Sequence, residues 1–534
     1  MKLSEKMVLG LVVFFVGLIF FTYLPMNYDY DGTVFSQMLR YSLAHGELMP
    51  SLQSHHLLYF PLNYIIYRGL WRLAGYRVLE YFHLQLFSLA FGLAALVLVY
   101  LILRRLTSQR AIALGGTVLM AFSFGFWYYS VQAEVDMPAL FFLLWCFYLL
   151  LPGEKPRIFL AALALALAAC FHLTSLLILG SVFFIFLYQR RPWSDYLKFY
   201  GLCFLLVLVS QFAFYLITGT NPLAPMLRVM FGVSRATGYH LDYWSRITPA
   251  SFLTSLNTVA SGILYPSTPW LVALSLVVFT FITGLILFVA WRRRERGFPL
   301  FALFWLLPHL LFFSLWVPRN VGFKLNVVAT VLLLFLYSLS RLRSPRIKYS
   351  LLGLFMVLIV VLQFVFVMLP SEKAANNRYL QLAQAIRKNT PVDSVIAIAG
   401  CGSRISIYSK IYIPYFGHRR VFILDWMLGR GLTLDGFKGE VHKEFNKGHA
   451  VFVLSELTEQ GKARATLSAN HGIPETDLSR FFMDLPADGA ITLTDGYFIR
   501  ELAREEVEDA DADGSDDEQK ATMESGRGRR GGSD

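Results

Sequence analysis

Four carboxylates stand where long apolar runs end. Asp29 and Asp31 lie in NYDYDG, residues 27–32, and Glu134 and Asp136 lie in FWYYSVQAEVDMPALFF. An ionisable group this close to hydrocarbon is expensive and usually faces a cavity or a partner. Partial burial also raises a carboxylate's pKa, which makes it a better general base. The plainer reading of each is a helix cap or a boundary marker. Two cations, Arg319 and Lys324 in WVPRNVGFKLN, lie where positive charge is otherwise sparse. They can bind phosphate, because guanidinium meets phosphate oxygens bidentately; the alternative is contact with lipid headgroups. Arg235, His240 and Arg246 are further cationic candidates. His172 in ACFHLTS is either a site residue or a turn histidine bonded to a backbone carbonyl. His55 and His56 are adjacent with no clear third ligand, so no metal is expected. The four cysteines are scattered without ligand spacing and read as small buried side chains.

The elements that position these groups follow from composition. The chain is 56% hydrophobic and 16% aromatic, with 16% charged residues, against roughly 25% in a soluble protein. Apolar runs bounded by charge fall near 7–25, 81–102, 111–128, 138–151, 158–171, 173–188, 199–217, 269–291, 298–316, 326–340 and 349–370, and several reach the ~20 residues that cross a bilayer. About eleven spans are therefore expected. The fifth and sixth form a hairpin turning at Phe171–His172. The first lacks a small-residue cleavage site and reads as a retained anchor. With the N-terminus inside, the inner loops hold 18 Lys and Arg in 44 residues, and the outer loops 9 in 124. Short loops rich in Lys and Arg stay in the cytoplasm. The net charge of +12 is thus a topology signal, not a nucleic-acid signal, and the four carboxylates face outward.

Residues 26–80 include two segments with helical apolar spacing suited to the membrane interface, and 218–268 form a second long outer loop. After Pro370 the pattern changes. RYLQLAQAIRK reads as helix, and SVIAIAG, RVFILDW and HAVFVLS read as short buried strands. The expected organisation is a transmembrane domain over 1–370, a small extracytoplasmic α/β domain over 371–504, and a disordered acidic then Gly/Arg-rich tail over 505–534. No internal repeat is evident.

The stretch after Asp31, DGTVFSQMLRYSLAHGELMPSLQSHHLLYFPLNY, resembles the first external loop of the GT-C glycosyltransferases that use polyprenyl-phosphate sugars. These include protein O-mannosyltransferases and lipid A aminoarabinose transferases. The matching pieces are Asp31-Gly32, SLAHG and HHLLYFPL, with VDMP at Asp136 or AEV at Glu134 for the acid of the second external loop. Gly32 replaces the second acid of the family's acidic pair, and HHLL replaces its proline pair. The resemblance covers roughly residues 1–370. It implies a polytopic α-helical membrane protein of GT-C type, a glycosyltransferase in the inner membrane. The implied reaction is sugar transfer from a polyprenyl-phosphate donor to an extracytoplasmic lipid, glycan or protein.

Outside the cytoplasm there are no nucleotide sugars, so an activated sugar arrives on a lipid whose phosphate is the leaving group. The resemblance implies an inverting single displacement with Asp31 as base. Asp29 is the fallback. Glu134, Asp136, His55 and His56 would bind acceptor or sugar, and Arg319 and Lys324 the lipid phosphate. No cofactor is expected, although the family has metal-dependent members. Two other classes compete. A secondary transporter would need a midplane site, and an O-antigen ligase or polymerase would rely on Arg and His in a long late loop.

Overall fold

In a computed structural model of the chain, residues 3–46, 56–151, 157–218, 248–293, 297–494 and 496–503 are described. Two compact units emerge, dividing at Asn377/Arg378.

The first unit is helical. It opens with α1 (Leu3–Thr22), α2 (Tyr30–His45), α3 (Tyr59–Ala74), α4 (Glu80–Thr107), α5 (Arg110–Phe122), α6 (Phe124–Val131) and α7 (Asp136–Leu150). It continues with α8 (Ile158–Phe171), α9 (Leu179–Tyr188), α10 (Trp193–Thr218), α11 (Pro249–Ile263), α12 (Pro269–Arg293), α13 (Gly297–Leu315), α14 (Leu325–Ser340) and α15 (Pro345–Gln363). Among the described residues, six helices are long and apolar enough to cross a membrane. The pair α5–α6 qualifies as a seventh path bent by 63°, and four apolar helices are shorter. The protein is a multi-pass membrane protein.

Small residues govern how closely the helices approach, as is general where lipid removes the hydrophobic drive for association. The alanine-rich run of α8, with Ala161, Ala162, Ala164 and Ala168 all buried, lies against α7. At Phe171 the helix stops, His172 takes an extended backbone, and a 3₁₀ turn over Leu173–Ile178 leads into α9. At the N-terminal end of α1, Glu5 accepts hydrogen bonds from the Tyr100 hydroxyl and Arg104 and pairs with Arg110. That knot ties the start of α1 to the end of α4 and the start of α5.

Four contacts fix the segment that carries Asp29 and Asp31. The Met26 amide donates to Ser371 O at 2.8 Å and Asn377 Nδ2 donates to Met26 O at 2.7 Å. Gln85 Nε2 of α4 donates to Pro25 O. Arg40 of α2 is paired with Glu80 at the start of α4, at 3.0 Å.

The second unit is α/β. Its elements are α16 (Arg378–Asn389), β1 (Val395–Ile398), α17 (Arg404–Tyr412), β2 (Arg420–Ile423), α18 (Leu424–Gly429), α19 (Leu434–Asn446), β3 (Val451–Leu454), α20 (Lys462–His471), α21 (Glu475–Asp484), β4 (Ala487–Thr492) and β5 (Phe498–Leu502). The sheet order is β2-β1-β3-β5-β4. β2, β1 and β3 run parallel, while β5 is antiparallel to β3 and to β4. Every residue of β1 and β3 is buried, because the sheet carries apolar clusters on both faces. That is why these strands are continuous apolar runs and not alternating ones.

Candidate active site

Asp29 begins the site. It caps α2 with extended backbone (φ −74°, ψ 159°), and its Oδ2 accepts the Asp31 amide at 3.1 Å. Its own amide donates to the Tyr81 hydroxyl at 2.9 Å, and its carbonyl accepts from Thr33 Oγ1. The Tyr81 hydroxyl in turn donates to Gln132 Oε1, and Gln132 Nε2 reaches back to Asn27 O at 2.7 Å. Residues 27–29 are thereby tied to the turn Gln132–Val135. Ser88 of α4 holds the same turn, donating to Glu134 O and accepting the Glu134 amide.

This double tie brings three carboxylates together. Oxygens of Asp29, Asp31 and Glu134 all lie within 4.8 Å of one another. Asp31 sits in the first turn of α2, with Gly32 beside it pressed against the turn. A Cβ on Gly32 would lie 2.8 Å from both Ala133 O and Ala133 Cβ. Glycine at this position is a condition of the approach. Glu134 is buried, while Asp31 keeps an exposed face. Desolvation by the surrounding protein, and next the Asp29 charge, hold the Asp31 carboxyl up at about 7. Glu134 is raised by burial first and then by Asp29, with which it shares a hydrogen bond. Asp136 opens α7, and its charge adds, last among the causes, to the rise at Glu134. Such a set can share protons, and its all-oxygen donors also suit a hard divalent cation.

The other anticipated groups lie on separate elements. His56 Nδ1 bonds to Phe171 O at 2.9 Å, so Nδ1 carries the hydrogen. Its ring stands 5.1 Å from that of His172, which bonds to Thr174 Oγ1 and stands 5.5 Å from Phe323. One chain of rings thus joins the segment before α3, the turn after α8 and the turn before α14. In that last turn, the Lys324 ammonium donates to Val317 O, Pro318 O and Asn320 O at 3.3, 2.8 and 3.1 Å. All three of its donors therefore go to backbone, and the side chain orders the turn that carries Arg319. Arg319 itself is exposed. His55, Arg235, His240 and Arg246 lie outside the described residues.

Sequence reasoning passed over Tyr81, Gln132 and Ser88. Gln132 carried a signal, as an uncharged polar residue flanked by apolar ones beside Glu134. The others read as ordinary members of apolar runs.

No protein-family model and no curated protein sequence matches the chain. Solved structures do. ArnT from Cupriavidus metallidurans bound to undecaprenyl phosphate aligns at a TM-score of 0.59 and 14% identity, covering 94% of this chain and 99% of that one. The apo state of the same protein gives 0.58 and 15%. The Archaeoglobus fulgidus oligosaccharyltransferase in the apo form gives 0.54 and 13%, covering 95% of this chain and 76% of that one. Its AglB complex with an inhibitory peptide and a dolichol-phosphate gives 0.51 and 12%. At such identities the likeness is one of architecture, and it is extensive: the chain shares the fold of these ArnT and oligosaccharyltransferase structures.

Proposed function

We propose that the protein transfers a sugar from a polyprenyl-phosphate donor to an extracytoplasmic lipid, glycan or protein by an inverting single displacement, with Asp31 as general base. The observation that carries this reading is the gathering of Asp29, Asp31 and Glu134 at the start of the first outer segment, in a fold shared with proteins solved with undecaprenyl phosphate and dolichol-phosphate. The acceptor hydroxyl attacks C1 of the sugar as Asp31 takes its proton, and the lipid phosphate leaves with the bonding pair. Positioned proton transfer of this kind is worth about 10²–10⁴-fold. Asp29 holds the turn, while Glu134 and Asp136 orient hydroxyls on the acceptor or sugar. His55 and His56 would bind acceptor or sugar, as the resemblance implies. Arg319 would bind the phosphate directly, and Lys324 would add its charge through the turn. The N-terminus would be cytoplasmic and the α/β unit outside, in the inner membrane.

One observation favours a second reading of the centre. The three clustered carboxylates could hold a divalent cation that stabilises the departing phosphate, in place of the metal-free centre expected from the sequence. Transfer from labelled polyprenyl-phosphate sugars in membranes tests both. Under the first reading Asp31→Asn abolishes transfer and EDTA does not. Asp29→Asn keeps a competent helix cap and retains more activity than Asp31→Asn. Loss of transfer on EDTA with recovery on Mg²⁺ or Mn²⁺ would establish the second. Full activity in both variants would sink the base assignment.

A further inference from the structure

Four cations crowd the eight residues RLRSPRIK, 341–348, with no acid among them. The segment joins α14 to α15 at the end of the helical unit remote from Asp31. Glu5, at the same end, is already paired with Arg104 and Arg110. Arg343 and Arg346 are exposed, as expected of charges that reach from a helix end into the headgroup layer. Lys348 is different. It is the fourth residue of α15, a helix apolar enough to cross a membrane, and only 8% of it is exposed.

Packing holds two of these cations in place. α15 lies so close to α5 that a Cβ on Gly115 would stand 2.8 Å from Leu352 Cδ2. That approach sets Lys348 against Gln109, the residue before α5. The Lys348 ammonium donates to Gln109 Oε1 at 3.1 Å, and Gln109 Nε2 donates to Ser340 O at 3.1 Å. Arg341 follows Ser340 directly. Its guanidinium lies over the Tyr337 ring, 4.7 Å from the centroid, and donates to the Tyr337 hydroxyl at 3.0 Å. The Arg341 charge acts against that of Lys348. Among the described residues no carboxylate pairs with Lys348, and Gln109 takes one of the three donors of its ammonium. A buried charge is costly unless it is paired, and an anion shared with Arg341 would pair it.

The surroundings select the anion. Orientation of the chain asks only for basic residues beside a span; it does not ask for a lysine folded in next to another cation. Ile347 and Tyr349, on either side of Lys348, are exposed large apolar residues of the spanning helix. Acyl chains therefore run alongside, and a lipid headgroup is the anion at hand. A headgroup with its own positive charge, such as choline, would be repelled. We propose that Arg341 and Lys348 form a binding site for the phosphate of an anionic phospholipid, at the junction of α5, α14 and α15. Basic pockets between spans hold such headgroups in other membrane proteins. The site lies at the opposite end of the helical unit from the carboxylates near α2, so it stands or falls apart from them.

The lipid retained by the full chain tests this. The protein is reconstituted in equal parts of phosphatidylglycerol and phosphatidylcholine and purified in about 0.5 M NaCl, which screens exposed charges far more than buried ones. The lipid that stays bound is then quantified by mass spectrometry. Phosphatidylglycerol is expected to be enriched over phosphatidylcholine. That enrichment should fall about tenfold in Lys348→Gln and in Arg341→Gln, the worth of a hydrogen bond to a charged group, and hold in Arg343→Gln and Arg346→Gln. Unchanged melting temperatures identify folded variants, and Arg341→Gln decides the matter if Lys348→Gln does not fold. No enrichment, an equal loss in Arg343→Gln or Arg346→Gln, loss in Arg319→Gln alone, or displacement of the lipid by millimolar inorganic phosphate would each overturn the proposal.

Discussion

Asp29 spends one carboxylate oxygen on the Asp31 amide and its own amide on the Tyr81 hydroxyl. Asp31, two residues on, has no comparable structural duty and keeps an exposed face. The sequence offered both as bases; the cap geometry is what separates them, and a cap cannot be told from a catalyst by residue type. A base must be ionised to work. With the Asp31 carboxyl held at about 7 by desolvation and then by Asp29, the active fraction grows as pH rises. Transfer is therefore expected to climb close to tenfold per pH unit below about 7 and to level off above it. A pH–rate profile in membranes checks this. A flat profile from pH 5 to 8 would exclude a base with that pKa. Lys324 teaches the same lesson from the other side. Its type and loop suggested a phosphate ligand, but its three donors reach carbonyls of its own turn, which no sequence pattern reports.

At the scale of elements, the glycine after Asp31 gains a physical reason. The resemblance placed a second acid there, and this chain has Gly32 because α2 and the turn Gln132–Val135 touch at Ala133. Gly32→Ala is expected to push the turn away, at about 1–3 kcal/mol of overpacking. It would also lower transfer by about 10²-fold, since a displacement near 1 Å is enough to do so. Transfer assays alongside melting curves check the pair of effects; wild-type activity would show that the carboxylates need no such closeness. The elements themselves were unevenly legible. Val395–Ile398 and Val451–Leu454 stood out because buried parallel strands are unbroken β-branched and apolar runs. β4, with the sequence ADGAIT and largely exposed, gave no such signal. The break at Ser123 was equally hidden: the chain bends by 63° and helix resumes to Val131, which shortens the following loop to the four residues that hold Glu134.

The whole molecule combines two units with separate cores. Charge bias, apolar run length and the compositional change near Pro370 are properties of long stretches, so fold class was readable early. The ties that assemble the centre join residues about 50 to 105 positions apart, beyond any local pattern. The bend at Ser123 has a consequence for biogenesis. Residues 110–131 pass together as one apolar segment, long enough to partition into the bilayer as a single straight span. A segment that enters straight would acquire its kink only as α4 and α11 pack against α6. In a translocon insertion assay this segment alone is expected to integrate as one span; failure to integrate would mean that its neighbours carry it into the membrane already bent.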